Sequence, residues 1–190
     1  MGDTTKTLAS TRTRSIAQIA LCIAIMAVCA WVTVPLGPVP FTLQTFAVAF
    51  AILALRPGEA VAATAGYLVL GAVGLPVFSG MRGGVGMLAG PTGGFLWGFL
   101  AGAVVAVGIL WALRGFSARG RREEVAASAV AALAFMVVTY AIGWAQLMAV
   151  SGMGPAEAFM TAVAPFVVVD VAKMAMAVVV ATAVKRALGK

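Results

Sequence analysis

The sequence predicts an all-α membrane protein: one domain of six spanning helices, with both termini cytoplasmic. Three observations carry this expectation. Of the 190 residues, 63% are hydrophobic and only 10% charged, whereas a soluble domain carries about 25% charged residues. The apolar residues gather into six stretches joined by short polar or Pro/Gly-rich links, and about 20 apolar residues cross a bilayer. With the N-terminus inside, eleven of the thirteen Lys and Arg residues fall on the cytoplasmic side, as the positive-inside bias requires. Only Arg82 then lies outside, and only Lys173 lies within a span. One span more or fewer would scramble that distribution.

The elements follow in order. Residues 1–14 are polar and read as a cytoplasmic N-terminus, before a bundle over 15–184. The first span, 15–34, resembles a signal peptide only superficially. It is too long, and no small-x-small cleavage pattern follows it. Its Cys22 and Cys29 are small packing residues, seven apart and too distant on a rigid helix for a disulfide. Ala20 and Ala24 repeat at a spacing of four on the same span. Pro35, Pro38 and Pro40 then preclude a regular helix. A short second span, 41–55, ends at the turn Arg56-Pro57-Gly58, and the third covers 59–75. Ser15, Thr42 and Glu59 are the helix-start residues expected for the first three spans.

Residues 76–92 are glycine-rich. Irregular backbone near a membrane is tolerated where it is buried in protein or lines a wet cavity. The proline and glycine segments are therefore expected to fold over the outer mouth as a lid. The fourth span, 93–113, continues a repeat of Gly90, Gly94, Gly98 and Gly102, the small-xxx-small pattern of close helix approach. The pattern does not say whether its partner lies in the same chain. The fifth span is 125–150. The sixth is 158–184, with Pro165 near its start, and 185–190 form a cytoplasmic tail.

Several functions are excluded. The net charge of +7 belongs to membrane topology rather than nucleic-acid binding, because the aromatic residues lie in the apolar spans and not among the basic ones. There is no histidine, which removes His-based general-base chemistry, a Ser–His dyad at Ser79 and most transition-metal sites. No catalytic residue, metal or cofactor is expected. Gly84-Val85-Gly86 lacks the strand–turn–helix setting and the Gly-Lys-Ser/Thr ending of a phosphate loop. With no Walker motif elsewhere, the chain does not itself hydrolyse ATP.

What remains is a binding site. Asp170 and Lys173 are opposite charges inside the last apolar stretch, where one ionised group costs roughly 2.5–3.5 kcal/mol on the insertion scale. Three residues apart, they share a helix face. They either fix helix packing as a self-contained pair or grip one ligand, and intramembrane charges concentrate at functional sites, which favours the ligand. Other polar groups on the outer half are Thr42, Gln44, Thr45, Ser79, Arg82 and Thr92. Tyr67 and Tyr140 lie deeper, suited mainly to packing, though each also has a hydroxyl to offer a pocket. The implied ligand is small and part apolar, with donors, acceptors and a negative charge that Lys173 or Arg82 would satisfy.

These residues carry a family resemblance. Val34-Pro35-Leu36-Gly37-Pro38-Val39-Pro40-Phe41-Thr42-Leu43-Gln44-Thr45 closely resembles the first-loop signature of the BioY family, the biotin-specific S components of energy-coupling factor transporters. Gly71-Ala72-Val73-Gly74-Leu75-Pro76-Val77-Phe78 and Leu88-Ala89-Gly90-Pro91-Thr92-Gly93-Gly94-Phe95 look like its third-helix end and glycine loop. Asp170-Val171-Ala172-Lys173 is similar to its last-helix Asp-x-x-Lys, and Ala20-Leu21-Cys22-Ile23-Ala24 fits the Ala-x-x-x-Ala used against the coupling subunit. The resemblance implies a six-helix S-component fold in the bacterial cytoplasmic membrane, binding biotin near the outer face. It implies partners: a transmembrane coupling subunit and two ABC ATPases. Asp170 and Lys173 would engage the ureido ring, with Gln44, Thr45, Ser79 and Tyr140 around it and Arg82 the candidate for the carboxylate. A solitary biotin carrier, or an S component for a related vitamin, remains an alternative.

Overall fold

Apolar sequence makes helix almost throughout, because a backbone in hydrocarbon must satisfy its own hydrogen bonds. The computed structural model describes residues 2–34 and 39–188, with side chains from Arg12 onward. In chain order its elements are α1 (Gly2–Trp31), β1 (Thr33–Val34), β2 (Phe41–Thr42), α2 (Gln44–Ala54), α3 (Pro57–Ala72), α4 (Val85–Ala89), α5 (Gly93–Ala112), α6 (Arg114–Ser117), α7 (Arg121–Ser151), α8 (Pro155–Ala162) and α9 (Ala164–Ala187). Among the described residues four helices are long and apolar enough to cross a membrane: α1 from Arg12, α5, α7 and α9. The chain is a multi-pass membrane protein on that ground. Residues 35–38, the proline part of the expected lid, lie outside the described residues.

The short helix α2 holds the centre. It touches α1, α3, α5, α7 and α9 and buries Gln44, Ala47, Val48, Ala49, Ala51, Ile52 and Leu53. None of its 11 residues is exposed, so it faces other helices rather than lipid. The outer helices turn residues such as Val73, Val168 and Val179 outward, where lipid replaces water as their solvent.

The glycine stripe finds its partner within the chain. A methyl group on Gly94 would lie 2.6 Å from Gln146 Cβ, on Gly98 2.7 Å from Thr139 Cα, and on Gly102 2.8 Å from the Phe135 ring. All three neighbours are on α7, so α5 and α7 meet nearly backbone to backbone. Gly90 drops out of the stripe, since it caps α4.

Three expectations shift. The sixth span is two helices, broken at Val163 (φ −122°, ψ −60°). Pro165 lacks an N–H and its ring clashes with the preceding turn, so α9 restarts there. Ser15 does not start a helix: it lies inside α1 and its hydroxyl donates to the Glu59 carboxylate, tying α1 to α3. Glu59 does sit in the first turn of α3, accepting the Arg56 N–H at 3.2 Å. Thr42 is in β2, paired with Thr33 across a short antiparallel ribbon. This ribbon joins the two legs of the proline loop to the rest of the fold.

Candidate functional site

Asp170 and Lys173 stand on the second and third turns of α9, and both are about 96% buried. Their separation is 2.6 Å between Nζ and Oδ1. The carboxylate accepts two further bonds, from the Thr45 hydroxyl at 3.1 Å and the Tyr140 hydroxyl at 2.6 Å. The ammonium also donates to the Thr42 carbonyl at 2.6 Å and lies 3.9 Å above the Phe41 ring centroid. Helices α2, α7 and α9 and strand β2 thus converge on one couple. Charge-assisted bonds of this kind are short and strong, and burial makes each worth more than in water.

The couple forms one wall of a cavity. Its non-atom space is about 650 Å³ including the open mouth, of which about 80 Å³ can hold the centre of a water molecule. Polar lining comes from Thr42, Gln44, Thr45, Ser79, Thr92, Tyr140, Asp170 and Lys173. Phe78, Phe95, Phe99 and Phe166 supply apolar walls. A carboxylate offers about four acceptor positions; three are taken here, so Asp170 can take one more donor without losing any.

A second set of bonds holds the cavity's other side. Gln44 Nε2 donates to Tyr67 Oη at 2.6 Å, and that hydroxyl donates to the Val77 carbonyl at 2.8 Å. The buried Phe78 ring packs edge-on to Tyr67, centroids 5.4 Å apart. It also occupies the space above Gly71, where a methyl group would lie 2.0 Å from it. Only glycine allows the loop to seat there. Ser79 Oγ is 3.2 Å from Thr33 Oγ1, which links the glycine loop to the first-loop ribbon. Gln146 on α7 donates to the Leu88 and Gly90 carbonyls at 2.9 and 2.7 Å.

Of the residues expected at the site, Asp170, Lys173, Gln44, Thr45, Ser79 and Tyr140 all line the cavity. Arg82 does not. It is exposed, and its Nε donates to the Ser79 carbonyl at 3.4 Å, in its own loop. Ala20 and Ala24 face outward on α1. Sequence reasoning missed the phenylalanine walls, Phe41 under the ammonium, and Gln146. A lone amide within the apolar stretch 125–150 was the available signal for Gln146.

A family model described as the BioY family matches residues 3–190. A curated "Biotin transporter BioY" of Thermotoga maritima is 36% identical over 163 residues, covering 86% of this chain and 90% of that protein. Another of that name from Rhizobium etli is 37% identical over 147 residues, 77% of this chain and 78% of the other. The crystal structure of the S-component for biotin from an ECF-type ABC transporter superposes with a TM-score of 0.84 over 93% of both chains, at 20% identity. That match gives the fold.

Proposed function

Because the chain belongs to the BioY family, we propose that it takes up biotin as the substrate-specific component of an ECF-type transporter. The observation that carries this reading is the buried Asp170–Lys173 couple facing a cavity walled by Phe78, Phe95, Phe99 and Phe166. A cyclic urea presents two N–H donors and one carbonyl. The open acceptor position on Asp170 suits one N–H, the Gln44 side-chain carbonyl the other, and the Lys173 ammonium the urea oxygen. Phe78, Phe95 and Phe166 receive the apolar part of the vitamin. Its carboxylate points to the mouth, where Ser79 lies and the exposed Arg82 supplies the positive charge.

Three bonds already hold the carboxylate before any ligand arrives. This preorganisation lowers the ordering cost of binding. The bundle has six spans with both ends cytoplasmic in the bacterial cytoplasmic membrane, α8 and α9 together making the sixth. Lacking an ATP motif, the chain draws its energy through contact with a coupling subunit and its ATPases. The outward alanines on α1 allow close helix approach and form the contact. Replacing Ala24 by Arg leaves biotin binding intact and halts ATP-driven uptake; uptake at the parental rate moves the docking surface elsewhere.

The direct test is mass spectrometry of the small molecule released when the purified protein is denatured. One biotin per chain is expected, and the loss of most binding in Asp170→Asn. A purified protein that neither carries nor binds biotin overturns the function. Unchanged affinity in Asp170→Asn overturns only the site.

A further inference from the structure

The helices that build the biotin cavity enclose a second one at their other ends. It lies among the last turn of α2, the last turns of α5, the start of α7 and the end of α9, and has about 390 Å³ of space for water-molecule centres. Its lining combines apolar Leu53, Val107 and Leu110 with Arg114, Lys185, Ser128 and one acid, Glu124. We propose that this cavity binds one anionic phospholipid, its phosphate held between Arg114 and Lys185 and an acyl chain laid along the apolar side.

Four features support this occupant. The first is unspent positive charge. Arg114 has no carboxylate partner among the described residues; its contact is with the Trp111 ring, 4.8 Å from the centroid. Lys185 has one long ion pair, 3.6 Å to Glu124, leaving ammonium donors unused. Arg119, Arg121, Arg122 and Arg186 add to this end of the bundle, against Glu123 and Glu124.

The second feature is Ser128. It is 96% buried, lines the cavity, and its hydroxyl has no hydrogen-bond partner among the described residues. No buried side-chain oxygen or nitrogen among the described residues lacks a partner, so this hydroxyl is open to the cavity and offers a hydrogen bond to whatever polar group enters it. Third, the lining offers both kinds of surface a phospholipid needs, two cations against one acid together with hydrocarbon. The fourth feature is depth. Trp111, one turn before the cavity-lining Arg114, is exposed, and tryptophan gathers where headgroups begin. Basic pockets between membrane helices at that level bind lipid headgroups.

A free phosphate shares the headgroup's charge but not its chain, and a protein partner would need neither. Native mass spectrometry and thermal unfolding of the delipidated full chain in non-ionic detergent separate these. The protein is given phosphatidylglycerol, phosphatidylcholine or inorganic phosphate. Phosphatidylglycerol should bind at one per chain and raise Tm, with about a fivefold preference over phosphatidylcholine for each cation engaged. Inorganic phosphate should leave Tm unchanged. Arg114→Gln should lower the preference about fivefold, and Ser128→Leu, which fills the cavity, should abolish the tightly held lipid. Equal retention of both lipids by the parental protein overturns the proposal, with no variant needed. So does protection by phosphate alone, a preference that survives both substitutions, or a co-purifying polypeptide that phosphatidylglycerol does not displace.

Discussion

Among the described residues, two lysine–carboxylate pairs differ in almost every respect but their chemistry. Lys173 and Asp170 are 2.6 Å apart with side chains 5% exposed, while Lys185 and Glu124 are 3.6 Å apart and 27% and 36% exposed. The first pair is stitched into three other elements by Thr42, Thr45 and Tyr140; hydrogen bonds do not tie the second to anything else among the described residues. A buried pair is expensive to form and very expensive to halve, because removing one partner strands the other's charge. An exposed pair is mostly solvated, and its loss is barely felt. The inner pair is therefore a fixed part of the site, and the outer pair is free to exchange partners.

Alanine at each lysine gives the sharpest contrast. Lys173→Ala leaves Asp170 buried and short of its strongest partner, so a loss of about 3–5 kcal/mol in stability is expected. Thermal unfolding in detergent measures it, and biotin binding should vanish with it. Lys185→Ala should lower stability by under about 1 kcal/mol and leave biotin affinity unchanged. Similar Tm values for the two variants would mean that burial does not distinguish the pairs.

The inner pair was legible because each charge stood alone in an apolar stretch, and its (i, i+3) spacing put both on one face. The glycine stripe announced close packing with equal clarity. What it packed against was not legible: Thr139 and Gly143 on α7 accept the approach, but small residues are scattered over every span. Pro165 was visible, yet a proline in an apolar run either kinks a helix or restarts one, and local sequence does not choose between them. The central place of α2 was hidden for a related reason: a helix without a polar face carries no mark of which side faces lipid. Tyr140 is ambiguous in any sequence, since its ring belongs in a core and its hydroxyl in a site. Here it does both, with its ring packed edge-on to Phe95 at 6.4 Å.

Tyr140→Phe asks how much of the inner pair's character comes from its supporting donors. It removes the 2.6 Å bond to Asp170 Oδ2 and little volume. A hydrogen bond to a charged group contributes about 1.5–3 kcal/mol, so stability should fall by about that amount. Biotin affinity should drop about tenfold or more, read by calorimetric titration, because the carboxylate is less firmly placed. An unchanged affinity would show that Lys173 and Thr45 alone orient Asp170.

The smallest effect probes the outer pair. Glu124→Gln removes its acid while keeping the shape, and under about 1 kcal/mol should be lost in Tm measurements at low salt. Solvent-exposed charges are screened over about 3 Å at 1 M ionic strength, less than the 3.6 Å separation. The difference between Glu124→Gln and the parental protein should therefore close as salt is raised. The Lys173→Ala deficit should persist through the same titration, since the couple is only 5% exposed and its 2.6 Å separation lies within the screening length. A deficit at Lys173 that faded with salt would place the couple in contact with bulk solvent, and the distinction between the two pairs would then be one of distance alone.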